Sequence, residues 1–132
     1  YQYTPLHHPE SIRLLTLLYG EFSSPIHVRL AEVRLSKKPQ YEALSYSWAT
    51  EGGDTSLSSQ IVCDEGKTLA VTKNCELALR YIRKGDSLTT LWVDAICINQ
   101  QDIKERGHQV GIMRNVYANA TKVLVWLGEG SE

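Results

Sequence analysis

Between residues 41 and 127, strand-like and helix-like patterns alternate along the sequence. Three apolar or alternating runs are typical of strands: residues 41–48, 91–98 and 122–127. Two segments between them carry apolar residues at helical spacing: residues 75–82 and 103–119. Such alternation favours parallel strands joined by right-handed helical crossovers. We therefore predict an α/β fold with a βαβαβ parallel core over residues 41–128.

The first 40 residues follow a different pattern, because strand-like runs occur there without a helix between them. These runs are 12–18 and 26–35, and they predict N-terminal antiparallel strands over residues 1–40. The alternation in the second run changes parity partway, which predicts a β-bulge. Residues 61–71 add a hairpin. The whole chain, residues 1–132, fits the usual size of one domain.

Composition excludes several functional classes. The formal net charge is −1, which gives no electrostatic reason to expect a nucleic-acid partner. No apolar run approaches the length of a membrane span, and the N-terminus lacks the pattern of a secretory signal. The three cysteines are widely spaced without a CxxC pair, so we expect reduced thiols and a cytoplasmic location. The chain lacks an initial methionine, and we interpret it as a fragment of a longer protein that is truncated at its C-terminus.

The segment from Leu91 to Arg106 carries the main candidate site. Asp94 lies within its apolar run, and a buried carboxylate is costly unless it is paired or used. Open parallel sheets bind ligands beyond the carboxyl ends of their strands, where the three predicted strand ends converge. Trp48 could offer a stacking surface, and Asp94 and Glu105 are the candidates for catalysis. The predicted ligand-binding residues are Ser45, Tyr46, Trp48, Asp94, Asn99, Gln100, Asp102 and Arg106.

Each of these residues also has a structural interpretation. Asp102 and Glu105 have the spacing of a helix-capping box, and Arg106 could form a surface ion pair with Asp102. Cys97 in an apolar run is more typical of a core residue than of a nucleophile. Asp94 could bind backbone amides of a neighbouring loop or contact a ligand. The histidines show no metal-ligand spacing, so we expect no metal site.

Three sequence blocks together carry a family resemblance: YEALSYSW at 41–48, LWVDAICINQQDIKER at 91–106 and QVGIMRNVYANATKVLVWLG at 109–128. Their order and spacing closely resemble the HET (heterokaryon incompatibility) domain of filamentous fungi. The resemblance implies an effector of fungal non-self recognition, a form of innate immunity in which activation triggers programmed cell death. It also implies self-association or binding to other death-signalling proteins.

The HET family is in turn distantly similar to TIR domains, which have a flavodoxin-like core. That similarity implies that the strand at 41–48 lies between the strands at 91–98 and 122–127. Several TIR domains cleave NAD, so NAD is a possible cofactor, and an NAD-cleaving or nucleotide-binding enzyme is the alternative function. The catalytic glutamate of those enzymes lies on a helix after the third strand. Neither Glu129 nor Glu132 matches that position.

Overall fold

A computed structural model describes residues 1–46 and 56–126 of the chain. It contains a five-stranded mixed sheet, a two-stranded hairpin and helices packed around them. The elements in chain order are β1 (Ser11–Leu17), β2 (Val28–Arg34), β3 (Glu42–Tyr46), β4 (Ser59–Cys63), β5 (Lys67–Val71), α1 (Lys73–Ile82), β6 (Thr89–Val93), α2 (Asp94–Cys97), α3 (Ile103–Asn119) and β7 (Lys122–Trp126). In the described part of the chain, no helix combines the length and apolar composition that a membrane crossing requires.

The large sheet has the strand order β2-β1-β6-β3-β7. β1 is antiparallel to both β2 and β6, whereas β3 is parallel to both β6 and β7. The three parallel strands therefore lie in the order predicted above, with the strand that begins near residue 41 in the middle. The α/β class and the N-terminal antiparallel strands are confirmed. β4 and β5 form the predicted hairpin outside the large sheet.

The two longer helices cover opposite faces of this sheet. The hydroxyl of Tyr41 donates to the carbonyl of Val116 on α3, and the ring of Trp92 lies edge-on to a tyrosine of the same helix. On the other face, the indole of Trp126 donates to Asn74 of α1 and packs against Tyr81. Such three-layer packing explains why β6 is buried almost throughout.

Two strand predictions were wrong in detail. β1 and β2 pair without interruption from Ser11↔Arg34 to Leu17↔Val28, so there is no bulge between them. β2 is an edge strand with half-buried apolar residues on both faces, Leu30 on one face and Val33 on the other. The change of parity in the sequence therefore reflects burial on both faces and needs no slip in the register of pairing. The predicted strand 91–98 ends at Val93, and Asp94–Cys97 form one helical turn instead. A short apolar run cannot distinguish a buried strand from a buried helical turn.

The ends of α3 agree with the prediction, but its apolar stripe agrees only in part. The predicted stripe comprises Ile103, Val110, Met113, Tyr117 and Ala120, of which the last three pack against the core. Ile103 and Val110 are 75% and 57% exposed, whereas Gln109 and Val116 are fully buried. Gln109 is buried because its side-chain amide donates to the carbonyl of Ser11 at the start of β1. A polar side chain that hydrogen-bonds to the backbone at the end of a strand can therefore occupy the inward face of a helix.

Candidate functional site

The carboxyl ends of the parallel strands meet at one edge of the sheet, as the topology requires. Tyr46 is the last residue of β3, Trp126 is the last residue of β7, and Asp94 follows β6 directly. Asp94 lies in the first turn after the strand rather than inside it. We define the strand-tip cluster as Ser45, Tyr46, Asp94 and Tyr117.

Asp94 lies within electrostatic reach of phenols on both faces of the sheet. Burial raises the pKa of Tyr46, and the nearby Cys75 and Asp94 raise it further. Burial also raises the pKa of Tyr117 on the α3 side, with Asp94 as the next cause and a hydrogen bond with Ser45 opposing it. Both phenols therefore stay protonated, and they place neutral O–H groups near one carboxylate.

A buried ion pair lies behind this cluster, where α2 is followed by α3. Arg13 on β1 has a side chain that is 3% exposed, and that of Glu105 on α3 is 7% exposed. The guanidinium binds both carboxylate oxygens, with Nη2 2.8 Å from Oε1. It also donates to the carbonyls of Cys97 and Thr4, at 3.2 and 2.7 Å. We call this the Arg13–Glu105 clamp, because it ties the N-terminal segment, β1, α2 and α3 together.

Glu105 is therefore engaged by protein groups on both of its oxygens. One of them also accepts from the backbone amide of Asn99, 2.7 Å away. Half of the capping interpretation is confirmed, since the Asp102 carboxylate accepts from the amide of Glu105 at 3.1 Å. The reciprocal half is not, because the Glu105 side chain turns toward Arg13. Among the described residues Asp102 and Arg106 form no ion pair, so that prediction was wrong.

The other predicted residues either hydrogen-bond to the backbone between α2 and α3 or lie apart from the strand-tip cluster. The side-chain amide of Gln100 donates to the carbonyl of Asp94 at 2.9 Å, and the Asn99 side chain accepts from the backbone amide of Gln101 at 3.2 Å. Arg106 is exposed on α3. Trp48 lies outside the described residues. The structure thus brings Ser45, Tyr46 and Asp94 together, with Gln100 behind them.

Sequence reasoning missed Arg13, Tyr3 and Tyr117. Arg13 interrupts the apolar run of β1, and a charge inside a buried strand is the same signal that singled out Asp94. Tyr3 donates to the carbonyl of Ile96 at 2.6 Å and lies under the guanidinium of Arg13, 4.8 Å from its ring centre. Nothing in the sequence pattern links residues so far apart.

A shallow cleft lies between the N-terminal segment and the start of α3. Its walls include His7, His8 and His108, together with Asp102 and Glu105. Despite these side chains, no group of histidine, cysteine, aspartate or glutamate in residues 1–46 and 56–126 has an arrangement that could hold a metal ion.

The strand-tip cluster fits only part of a dinucleotide. A carboxylate and hydroxyl groups suit the hydroxyls of a ribose. A pyrophosphate also needs positive charge or free helix-terminal amides. The Thr72 side chain already caps the first turn of α1 by accepting from the Cys75 amide. A dinucleotide site at this edge would therefore need a phosphate-binding group outside the strand-tip cluster.

We expect the three cysteines to be unreactive in the folded protein. All are buried free thiols, and burial raises the pKa of Cys63 to about 11 and those of Cys75 and Cys97 to about 12. The thiolate is the reactive form, so an aromatic disulfide reagent should label almost no thiol at pH 8. It should label all three once denaturant unfolds the chain. Rapid labelling of Cys97 in the native protein would contradict its assignment to the core.

Comparison with known proteins adds two findings. A family model described as heterokaryon incompatibility protein (HET) matches residues 41–132. The chain is also similar to heterokaryon incompatibility protein 6, OR allele, of Neurospora crassa, with 33% identity over 128 residues. That alignment covers 89% of this chain and 18% of the relative, so the chain spans less than a fifth of the relative's length. No solved structure matches the chain.

Proposed function

Because the chain belongs to the heterokaryon incompatibility family, we propose that it is an effector module of fungal incompatibility that triggers programmed cell death. It acts in the cytoplasm, through self-association or through binding to other death-signalling proteins. The observation that carries the proposal is the family match over residues 41–132, which includes all three parallel strands and the strand-tip cluster.

The geometry supports recognition better than catalysis. Of the two carboxylates considered for catalysis, Glu105 is closed off by the clamp. Asp94 is half-buried at the edge of the sheet, and the α2 turn that carries it is anchored by Arg13 and Tyr3 through carbonyls of the same turn. A fixed acidic group on a rigid edge suits the binding of a partner, since little ordering is needed when the partner binds.

The test is inducible expression of the protein in a filamentous fungus, with viable colonies counted after induction. We expect the wild-type protein to reduce viability and Asp94→Asn to restore it at least tenfold. Glu76→Gln is the matched control, because it neutralises a carboxylate on α1 that pairs with Arg80 of the same helix. Equal amounts of protein and equal melting temperatures must be shown for all three. A harmless wild-type protein, or an Asp94→Asn variant that is as lethal, would refute the proposal.

A nucleotide-binding or NAD-cleaving enzyme is the second candidate. One observation favours it: Asp94 directly follows β6 at the carboxyl ends of the three parallel strands, where open α/β sheets bind their ligands. The discriminating measurement is nicotinamide release from NAD by purified protein. Release that Asp94→Asn abolishes would favour the enzyme. Loss of viability without any release would favour the recognition module.

A further inference from the structure

Residues 3–9, which we call the N-terminal strap, are attached to α2 at one end. The hydroxyl of Tyr3 donates to the carbonyl of Ile96 at 2.6 Å. The next carbonyl of the strap accepts from the guanidinium of Arg13, which also donates to the carbonyl of Cys97. The strap and α2 therefore share one cation, and a movement of either affects the other.

The other end of the strap is attached to β2 and α3 through histidines. The backbone amide and the Nδ1 atom of His7 both bind the carboxylate of Glu32 on β2, each at 2.8 Å. The imidazole of His108 on α3 binds the carbonyl of Pro9. The strap is therefore hydrogen-bonded at both of its ends.

Little apolar burial supports these hydrogen bonds. Among residues 3–9, all of which the structure describes, none is buried. A cleft of about 410 Å³ lies between the apolar side chains of the strap, including Leu6, and the side chains of Lys104 and His108 on α3. Segments that are held by exposed hydrogen bonds and few apolar contacts open locally at low cost. We therefore expect the strap to detach and rebind while the sheet stays folded.

α2 depends on the donors that the strap and Arg13 supply. It is a single turn, Asp94–Cys97, and such a short helix is not stable by itself. The chain is extended at Ile98, so the last carbonyls of α2 gain no further helical bonds. Ile96 is fully buried, and without Tyr3 its carbonyl loses a donor in apolar surroundings. Burial raises the pKa of Tyr3, which keeps the hydroxyl protonated.

We propose that the N-terminal strap is a conformational switch for the turn that carries Asp94. With the strap bound, α2 holds the carboxylate of Asp94 at the strand-tip cluster. When the strap detaches, α2 loses the Tyr3 donor and Asp94 becomes mobile. Any partner that prefers one of these two states shifts the equilibrium toward it. The inference goes beyond the proposed function, because the strap lies outside residues 41–132, which the family model matches.

The first test removes the attachment to α2. Tyr3→Phe deletes the hydroxyl and keeps the ring, whose centre lies 4.8 Å from the guanidinium of Arg13. The amide of Ile98, which donates to the carbonyl of Asp94, should then exchange with deuterium about tenfold faster by NMR. The amides of β6 should keep their wild-type exchange rates. Tyr19→Phe is the matched control, because Tyr19 is 62% exposed, and it should change neither rate.

The second test removes the attachment at the far end. His108→Ala deletes the hydrogen bond to Pro9. If the strap moves as one unit, the amide of Ile98 should again exchange faster while the amides of β6 do not. His27→Ala is the matched control, because His27 is an exposed histidine next to β2, and it should leave the exchange rate at Ile98 unchanged.

Unchanged exchange at Ile98 in Tyr3→Phe or in His108→Ala would overturn the inference. An equal acceleration of the β6 amides would also overturn it, since the variants would then destabilise the whole fold. These outcomes are distinct from failure of the proposed function. The expected exchange in a protein that is harmless to the fungus would refute the function and keep the switch. A lethal protein whose Ile98 amide is insensitive to both variants would refute the switch and keep the function.

Discussion

Glu105→Gln should destabilise the protein by about 3 to 5 kcal/mol, the usual cost of removing one partner from a buried ion pair. The substitution keeps the size of the side chain but leaves the guanidinium of Arg13, 3% exposed, without a counter-charge. It also weakens the acceptor for the Asn99 amide. Because domains are stable by only about 5 to 15 kcal/mol, urea titration should show a large shift in the unfolding midpoint.

The control for this prediction is Glu76→Gln. Glu76 pairs with Arg80 one turn along α1, and the two side chains are 21% and 17% exposed. Partly exposed pairs of this kind contribute about 0 to 1 kcal/mol, so the midpoint should move little. Equal shifts in the two variants would show that the clamp contributes no more than a surface pair.

Replacing both partners of the Arg13–Glu105 clamp distinguishes the contribution of charge to stability from that of packing. Arg13→Met combined with Glu105→Met removes the charges together, and buried pairs replaced by apolar residues often lose little stability. We expect the double variant to be more stable than Glu105→Gln alone. Recovery should stay incomplete, because Arg13 also binds the carbonyls of Thr4 and Cys97.

The order of the parallel strands could be predicted because it follows from local patterns and from the family resemblance. Strand and helix periodicities alternate, and right-handed crossovers leave few arrangements for three strands. The same reasoning failed where local patterns are ambiguous. Residues 94–97 are apolar apart from the first, and that pattern fits a helical turn as well as a strand end.

The candidate site could be predicted in position but not in its contacts. The strand ends identified Ser45, Tyr46 and Asp94, because topology alone brings them to one edge. The role of Glu105 could not be predicted, since its partner Arg13 lies 92 positions away in the sequence. Helix-capping spacing suggested a local role for Glu105, and the long-range ion pair took precedence because a buried guanidinium requires a counter-charge.

Trp92→Ala should cost about 3 to 5 kcal/mol, as is usual for truncating a large buried aromatic residue. Trp92 is 0% exposed and contacts Tyr117 edge-on, with the ring centres 5.5 Å apart. The loss should therefore also loosen the α3 side of the strand-tip cluster, where Tyr117 meets Ser45. Thermal unfolding followed by circular dichroism would measure the loss.

Trp92→Phe distinguishes the stability contribution of the aromatic ring from that of the indole nitrogen. The indole nitrogen of Trp92 has no hydrogen-bond partner among the described residues, and a buried donor left unpaired is itself unfavourable. Phenylalanine removes that donor and keeps the edge-on contact with Tyr117, although it leaves a small cavity. We therefore expect Trp92→Phe to cost less than half as much as Trp92→Ala. If the two variants lose equal stability, the indole nitrogen contributes a bond that the geometry does not show, and the packing of β6 against α3 depends on more than apolar contact.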